Sequence, residues 1–258
     1  MHYLSEEHLM VREMIRSFAL KELKPIAAKI DEEDRFPDGL VPKLAAVNLL
    51  GMSIPSEYGG GGTDTLSYII AVEEVARVSG SVALMIAAHN SLVVHMLNMF
   101  ANEDQKKKYL TPLARGDYLG AFGLTEPQAG SDAGGTITRA VRKGDKYIVN
   151  GAKIYITNGS IGKVTILTAR TDKSDSGTRG ISAFICECDW PGYKVAVKEK
   201  KMGLRGSDTV ELVFDNLEIP AENLLGEEGA GFKIFMKTLD GGRISIGALG
   251  LWLAQAAL

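Results

Sequence analysis

Residues 122–132 read Phe122-Gly123-Leu124-Thr125-Glu126-Pro127-Gln128-Ala129-Gly130-Ser131-Asp132, and the character of the chain changes around them. The run leaves a predicted strand and enters a loop of small and hydroxyl-bearing residues. Ala129-Gly130-Ser131 lets backbone come close to a ligand, while Thr125 and Ser131 offer neutral hydrogen bonds. A planar cofactor with apolar faces, a polar edge and a phosphate-bearing tail needs that kind of surface. A polar loop between two strands is the plainer reading, and the run alone favours it.

Further on, Lys153 to Gly159 reads Lys-Ile-Tyr-Ile-Thr-Asn-Gly. Strand alternation places Tyr155 and Thr157 on one face, an aromatic plate beside a hydroxyl. Such a pair could cover an isoalloxazine ring and hydrogen-bond its edge. A cross-strand Tyr and Thr that merely pack well would look the same.

Upstream of these stretches the sequence is helical. Ser5 caps a predicted helix with Glu6 and Glu7 in its first turn, and Leu9, Met10, Ile15, Phe18 and Leu23 form its apolar stripe, broadened by Met14 and Leu20. Pro25 ends it. Further helices are predicted over 37–50, 63–78 (with Gly80 as the break), 82–100 and 103–114. Downstream, short strands are predicted over 137–141, 147–149, 153–156, 164–169, 181–186, 193–197 and 209–214. Lys143-Gly144-Asp145-Lys146 and Asn150-Gly151 read as turns between them. That series implies a barrel or sandwich built by antiparallel pairing. A glycine-rich joint, Gly226 to Gly231, precedes a new helical pattern from Phe232 that still runs at Leu258. The expected division is an all-α domain over 1–117, a β-domain over 118–228 and the start of a helical bundle over 229–258, with a continuation expected beyond.

Composition narrows the function. Of 258 residues 45% are hydrophobic and 24% charged, with a formal net charge of −3. No basic excess of the nucleic-acid-binding kind is present, and the runs Lys106-Lys107-Lys108 and 198–201 read as solvated faces. Cys186 and Cys188 are read as reduced thiols, and no metal site is expected from them or from His2, His8, His89 and His95. The apolar stretch 82–101 is broken by His89, Asn90, Ser91, His95 and Asn98, so a buried helix is expected rather than a membrane span. The Asn158-Gly159-Ser160 sequon reads as accidental. No targeting segment is seen, so a bacterial cytoplasm is expected, with a processed mitochondrial protein as the alternative.

Taken together the stretches resemble the acyl-CoA dehydrogenase family. Gly123-Leu124-Thr125-Glu126 through Gly130-Ser131-Asp132 with Gly135 is similar to its first signature, and Lys153 to Gly159 to its flavin-covering strand. Lys201-Met202-Gly203-Leu204-Arg205-Gly206-Ser207, Phe214 through Pro220, and Asp240-Gly241-Gly242-Arg243 resemble three further blocks, in the family's order. The resemblance implies FAD as cofactor, a homotetramer, and α,β-dehydrogenation of an acyl-CoA thioester with electrons passed to an electron-transfer flavoprotein. It places Phe122, Gly123, Leu124, Thr125, Gly130, Ser131, Tyr155, Ile156 and Thr157 against the flavin, with Thr157 near N5. Ser131, Asp240, Gly241, Gly242 and Arg243 would contact the substrate, the last four as a CoA-contacting turn.

Two positions depart from the pattern. Tyr155 stands where the family usually has tryptophan. Gly242 stands where a minority of members carry the carboxylate base, so the base is expected after Leu258 and the 258 residues alone are expected to be inactive. The helix over 82–100 is the expected acyl-pocket wall, and its bulky Leu, Met and Val side chains suit a short acyl chain. An oxygen-reactive acyl-CoA oxidase or flavin monooxygenase relative is the second enzyme reading. A non-catalytic acyl-CoA or partner-binding module is the reading from another class.

Overall fold

The computed structural model describes residues 4–172 and 177–258; His2 lies outside them. Helix α1 (Glu6–Phe18) begins as its sequence dictates. The Ser5 hydroxyl accepts the His8 N–H, and His8 Nδ1 accepts the Ser5 N–H in return. Its apolar stripe is only half used. Ile15, Phe18 and Leu23 are buried, whereas Leu9, Met10, Met14 and Leu20 face solvent, because the stripe is wider than the arc its neighbours cover.

Helix α2 (Ala27–Glu32) follows Pro25 and escaped the sequence pattern; in six residues only Ile30 is buried, too few to show a period. The helix expected over 37–50 shrinks to α3 (Leu40–Ala46), preceded by Gly39 at φ +77°. Helix α4 (Thr65–Ala76) is capped by Asp64. Gly80 is not a break but the first residue of α5 (Gly80–Ala87), capped by Ser79. A Cβ there would come within 2.6 Å of Leu204 and 2.8 Å of Leu253, so the glycine lets two segments close on the helix. From α5 the helix passes through a π turn at Ala88–Val94 into α6 (His95–Phe100). Gly80–Phe100 is long and apolar enough to cross a membrane, but 78% of that window is buried within the protein, as expected of a core helix. Helices α7 (Glu103–Gln105) and α8 (Thr111–Arg115) close this layer, and Gly116 ends it at φ +76°.

The strands are β1 (Gly120–Gly123), β2 (Arg139–Lys143), β3 (Lys146–Thr157), β4 (Val164–Arg170), β5 (Ile181–Glu187), β6 (Tyr193–Lys198), β7 (Thr209–Pro220) and β8 (Leu224–Leu225). Their order is β6-β7-β3-β2-β4-β5-β8, with β1 on β4. Most pairs are antiparallel as expected, but β4 pairs in parallel with β1 and with the first residue of β2. The turn expected at Asn150-Gly151 does not exist. Both residues lie inside β3, where Gly151 adopts φ +152° and a Cβ would strike Thr138 Oγ1 at 2.4 Å. The glycine marks an irregularity in register against β7, a local signal that reads in sequence like a turn.

Helix α9 (Gly231–Ala257) runs 27 residues without interruption. The turn expected at Asp240–Arg243 is therefore a stretch of helix interior. Gly242 serves contact: a Cβ on it would meet Leu92 at 2.9 Å, where α9 crosses the π turn, whereas one on Gly241 would come no nearer than 4.0 Å to His95. One apolar cluster joins α1, α4 and α5 to Ala248 and Leu249 of α9, a second joins the π turn to β1, β4 and Phe235, and a third fills the β-domain.

Candidate active site

The 122–132 loop and strand β3 meet through a bulge. In the ladder with β7, Lys153 faces Leu212 and Ile156 faces Val210, so Ile154 and Tyr155 together stand against Glu211. The Ile154 N–H is thereby released from the ladder and donates to the Thr125 carbonyl at 2.9 Å. Simple alternation fails across this step, because Lys153 and Ile156, three apart, are both buried.

Beneath the contact lies a fully buried ion pair. Lys153 Nζ donates to Glu126 Oε1 at 2.8 Å, to the Leu124 carbonyl at 3.0 Å and to Thr168 Oγ1 at 2.9 Å. Glu126 also accepts the backbone N–H groups of Ile137 and Thr138 and the Gln128 amide. Glu126 and Ala129 exchange two backbone hydrogen bonds of 3.0 Å, which folds the loop back on itself. Burial pulls the Lys153 ammonium down to about 8 against the attraction of Glu126. Burial would raise the Glu126 carboxyl, but the Lys153 charge and the hydrogen bonds outweigh it and hold the carboxyl below its ordinary value. Neither residue stood among the candidates from sequence. The signal was a lysine inside the predicted strand 153–156 and a glutamate inside the 122–132 loop.

Of the predicted flavin contacts, Tyr155 and Thr157 share the open side of β3. Tyr155 is 63% exposed and held at φ +57°, a costly conformation for an aromatic residue. Thr157 is half-buried, and its hydroxyl has no hydrogen-bond partner among the described residues, nor do those of Thr125 and Ser131. The Ile156 side chain points the other way, into the β-domain core, so only its backbone remains for a ligand. Phe122 leans on Phe235 of α9 with ring centroids 4.4 Å apart, and Leu124 is buried. Gly123 packs on Leu167 and Thr165 of β4, whereas Gly130 and Ser131 are exposed on the loop, with open space where a Gly130 Cβ would stand.

Thr157 also lines a cavity of about 440 Å³ together with Gly242, Arg243, Leu239 and Ile246 of α9 and Leu84, Ala88, Ser91 and Leu92 from α5 and its π turn. The fold thus joins Thr157 to two of the four residues predicted for the CoA block. Gly241 opens instead into a second cavity of about 430 Å³ with Tyr68, Asn90 and His95, and Ser91 borders both. Asp240, one residue further back, is exposed and lines neither cavity. The residues fit a flavin in kind: an uncovered aromatic plate, unpartnered hydroxyls and an open glycine edge beside an apolar cavity. Both cysteines are free, and no cluster of metal-ligating side chains occurs among the described residues.

Residues 5–117 match the family described as acyl-CoA dehydrogenase, N-terminal domain, and residues 121–217 its middle domain. A short-chain specific acyl-CoA dehydrogenase of Clostridium acetobutylicum is 50% identical over 98% of this chain and 67% of that protein. Butyryl-CoA dehydrogenase from Megasphaera elsdenii superposes with a TM-score of 0.96 at 43% identity, over 100% of this chain and 68% of that one. A chain from a structure of the electron transferring flavoprotein of Acidaminococcus fermentans superposes at 0.97 with 47% identity, covering 100% and 67%. A glutaryl-CoA dehydrogenase from Mycobacterium smegmatis, solved in complex with FADH2, superposes at 0.91 with 33% identity, covering 98% and 64%.

Proposed function

This chain belongs to the acyl-CoA dehydrogenase family, and we propose that it serves the FAD-dependent α,β-dehydrogenation of a short acyl-CoA thioester to the trans-2-enoyl-CoA. The carrying observation is that Thr157, on the strand bonded to the 122–132 loop, opens into one cavity with Gly242 and Arg243.

FAD, when bound, supplies the acceptor for the hydride leaving the β-carbon. The chain's own residues bind, orient and enclose. Tyr155 would cover a ring face of bound FAD, and the Thr157 hydroxyl would bond the polar edge of that ring. Leu84, Ala88, Leu92 and Ile246 exclude water and receive a short acyl chain. Arg243, exposed on α9 beside the cavity, offers its guanidinium to phosphate or adenine. Gly242 brings no carboxylate, and none of the cavity-lining residues carries one, so the α-proton acceptor is not among them.

The electron acceptor in this reading is an electron-transfer flavoprotein, and the assembly is a homotetramer in the bacterial cytoplasm. Anaerobic addition of butyryl-CoA to the FAD-loaded protein with its α-proton acceptor in place should bleach the flavin absorbance. Flavin that stays oxidised with every acyl-CoA tried would leave a binding module instead. Rapid reoxidation of the bleached protein by air would mark an oxidase.

A further inference from the structure

Lys153 and Glu126 line neither of the two cavities above, yet they tie the 122–132 loop to β3 and β4. The Lys153 ammonium has three acceptors from two segments: the Leu124 carbonyl and Glu126 in the 122–132 loop, and Thr168 on β4. The Glu126 carboxylate carries the tie onward to the N–H groups of Ile137 and Thr138, where the loop ends and β2 begins. Both side chains are inaccessible, at 0% and 1% of their area. An apolar pair would fill such a site without the cost of desolvating two charges. What the charges add is direction: a methyl or methylene there could not grip a carbonyl oxygen.

We propose that Lys153 and Glu126 are a positioning pair, in which Lys153 grips the Leu124 carbonyl and Glu126 anchors both ends of the 126–138 loop, so that the loop and the Tyr155–Thr157 segment present one surface to the flavin. The inference rests on the flavin reading above. The bulge and the pair are complementary devices. The Ile154 N–H fixes Thr125 from the strand backbone, and Lys153, the preceding residue, fixes Leu124 from its side chain. Between them two consecutive carbonyls of the loop are held by two consecutive residues of β3. Removing the ammonium leaves the Leu124 carbonyl free to rotate, and the Thr125 hydroxyl and the N–H groups of the loop turn with it.

The test separates positioning from mere folding. Breaking the pair by Lys153→Met leaves a buried carboxylate and is expected to destabilise the protein, so that variant alone decides little. The double variant Lys153→Met/Glu126→Gln removes both charges while the glutamine oxygen still accepts the Ile137 and Thr138 N–H groups. Apoproteins of wild type and double variant are reconstituted with FAD, and the dissociation constant is read from flavin fluorescence, with visible circular dichroism of the bound flavin and thermal midpoints beside it. The expected result is a midpoint within a few degrees of wild type, FAD binding weakened about 10-fold or more, and an altered flavin dichroism. A double variant that binds FAD with unchanged affinity and unchanged dichroism overturns the positioning role while leaving the flavin reading intact. Loss of affinity only in proportion to a collapsed midpoint overturns it as well. Failure of the wild-type protein to bind FAD removes both readings together.

Discussion

Ile154 donates its backbone N–H to the Thr125 carbonyl across 2.9 Å, and Tyr155, the next residue, stands in the left-handed region at φ +57°. The two facts have one cause. The bulge turns one amide out of the β3–β7 ladder toward the loop and must then return the chain to the strand within a single residue. Local strain is thus stored at the residue proposed to cover the flavin.

Replacing Tyr155 by glycine should relieve that strain. The side chain is mostly exposed, so little packing is lost, and glycine accepts positive φ freely. The apoprotein is expected to gain about 1 kcal/mol in urea unfolding while FAD affinity falls. A glycine variant that loses stability would show the tyrosine ring packs more than its exposure indicates.

Thr157→Val keeps the β-branched shape and removes only the hydroxyl. Since that hydroxyl bonds no described residue, the melting temperature should stay close to wild type. In the protein with its α-proton acceptor in place, the rate of flavin bleaching by butyryl-CoA should drop about 10-fold if the hydroxyl bonds the ring edge. Stopped-flow absorbance gives both amplitude and rate.

Acid should destabilise the helical layer through His89. Its Nδ1 accepts the Gly120 N–H, and its Nε2 faces the carbonyls of Leu50 and Leu113, so the fully buried ring is held neutral. Burial lowers its value from 6.5 to about 4, despite the two carbonyls. The unfolded chain therefore takes the proton first. The stability at stake is intact above about pH 6.5 and is lost as the pH falls toward about 4, reaching roughly 3 kcal/mol. Urea unfolding near pH 7 and near pH 4.5 should show wild type losing more stability than His89→Gln.

Arg243→Ala should act on binding more than on chemistry. The residue is exposed and forms no ion pair among the described residues, so stability should change by less than about 0.5 kcal/mol. In the protein with its α-proton acceptor in place, KM for butyryl-CoA is expected to rise about 10-fold with kcat little changed, and the rise should shrink at high salt. A fall in kcat with constant KM would place the guanidinium at the reacting centre instead.

Much of this was legible from the chain alone. Ser5 as a cap, the helical front, the Lys143–Lys146 hairpin and the long α9 follow from local chemistry and period, which neighbouring residues carry with them. The Asn150-Gly151 turn failed because the same dipeptide that closes a hairpin can also relax a bulge, and only the partner strand tells which. The turn that the resemblance implied at Asp240–Arg243 is replaced by helix, because the segment lies inside α9 where it packs against another helix. Ile156 was placed against the flavin by the motif, but its side chain alternates with Tyr155 and Thr157 and faces the core, which leaves only its backbone for a ligand.

The order of residues determined which chemistry was on hand: hydroxyls at 125, 131 and 157, an aromatic ring at 155 and a guanidinium at 243. The tertiary structure decided which of them share a space, through the count of residues on facing strands and the crossing of α9 over a π turn. Both depend on contacts between segments far apart in the chain, and such contacts leave no period for a sequence to display.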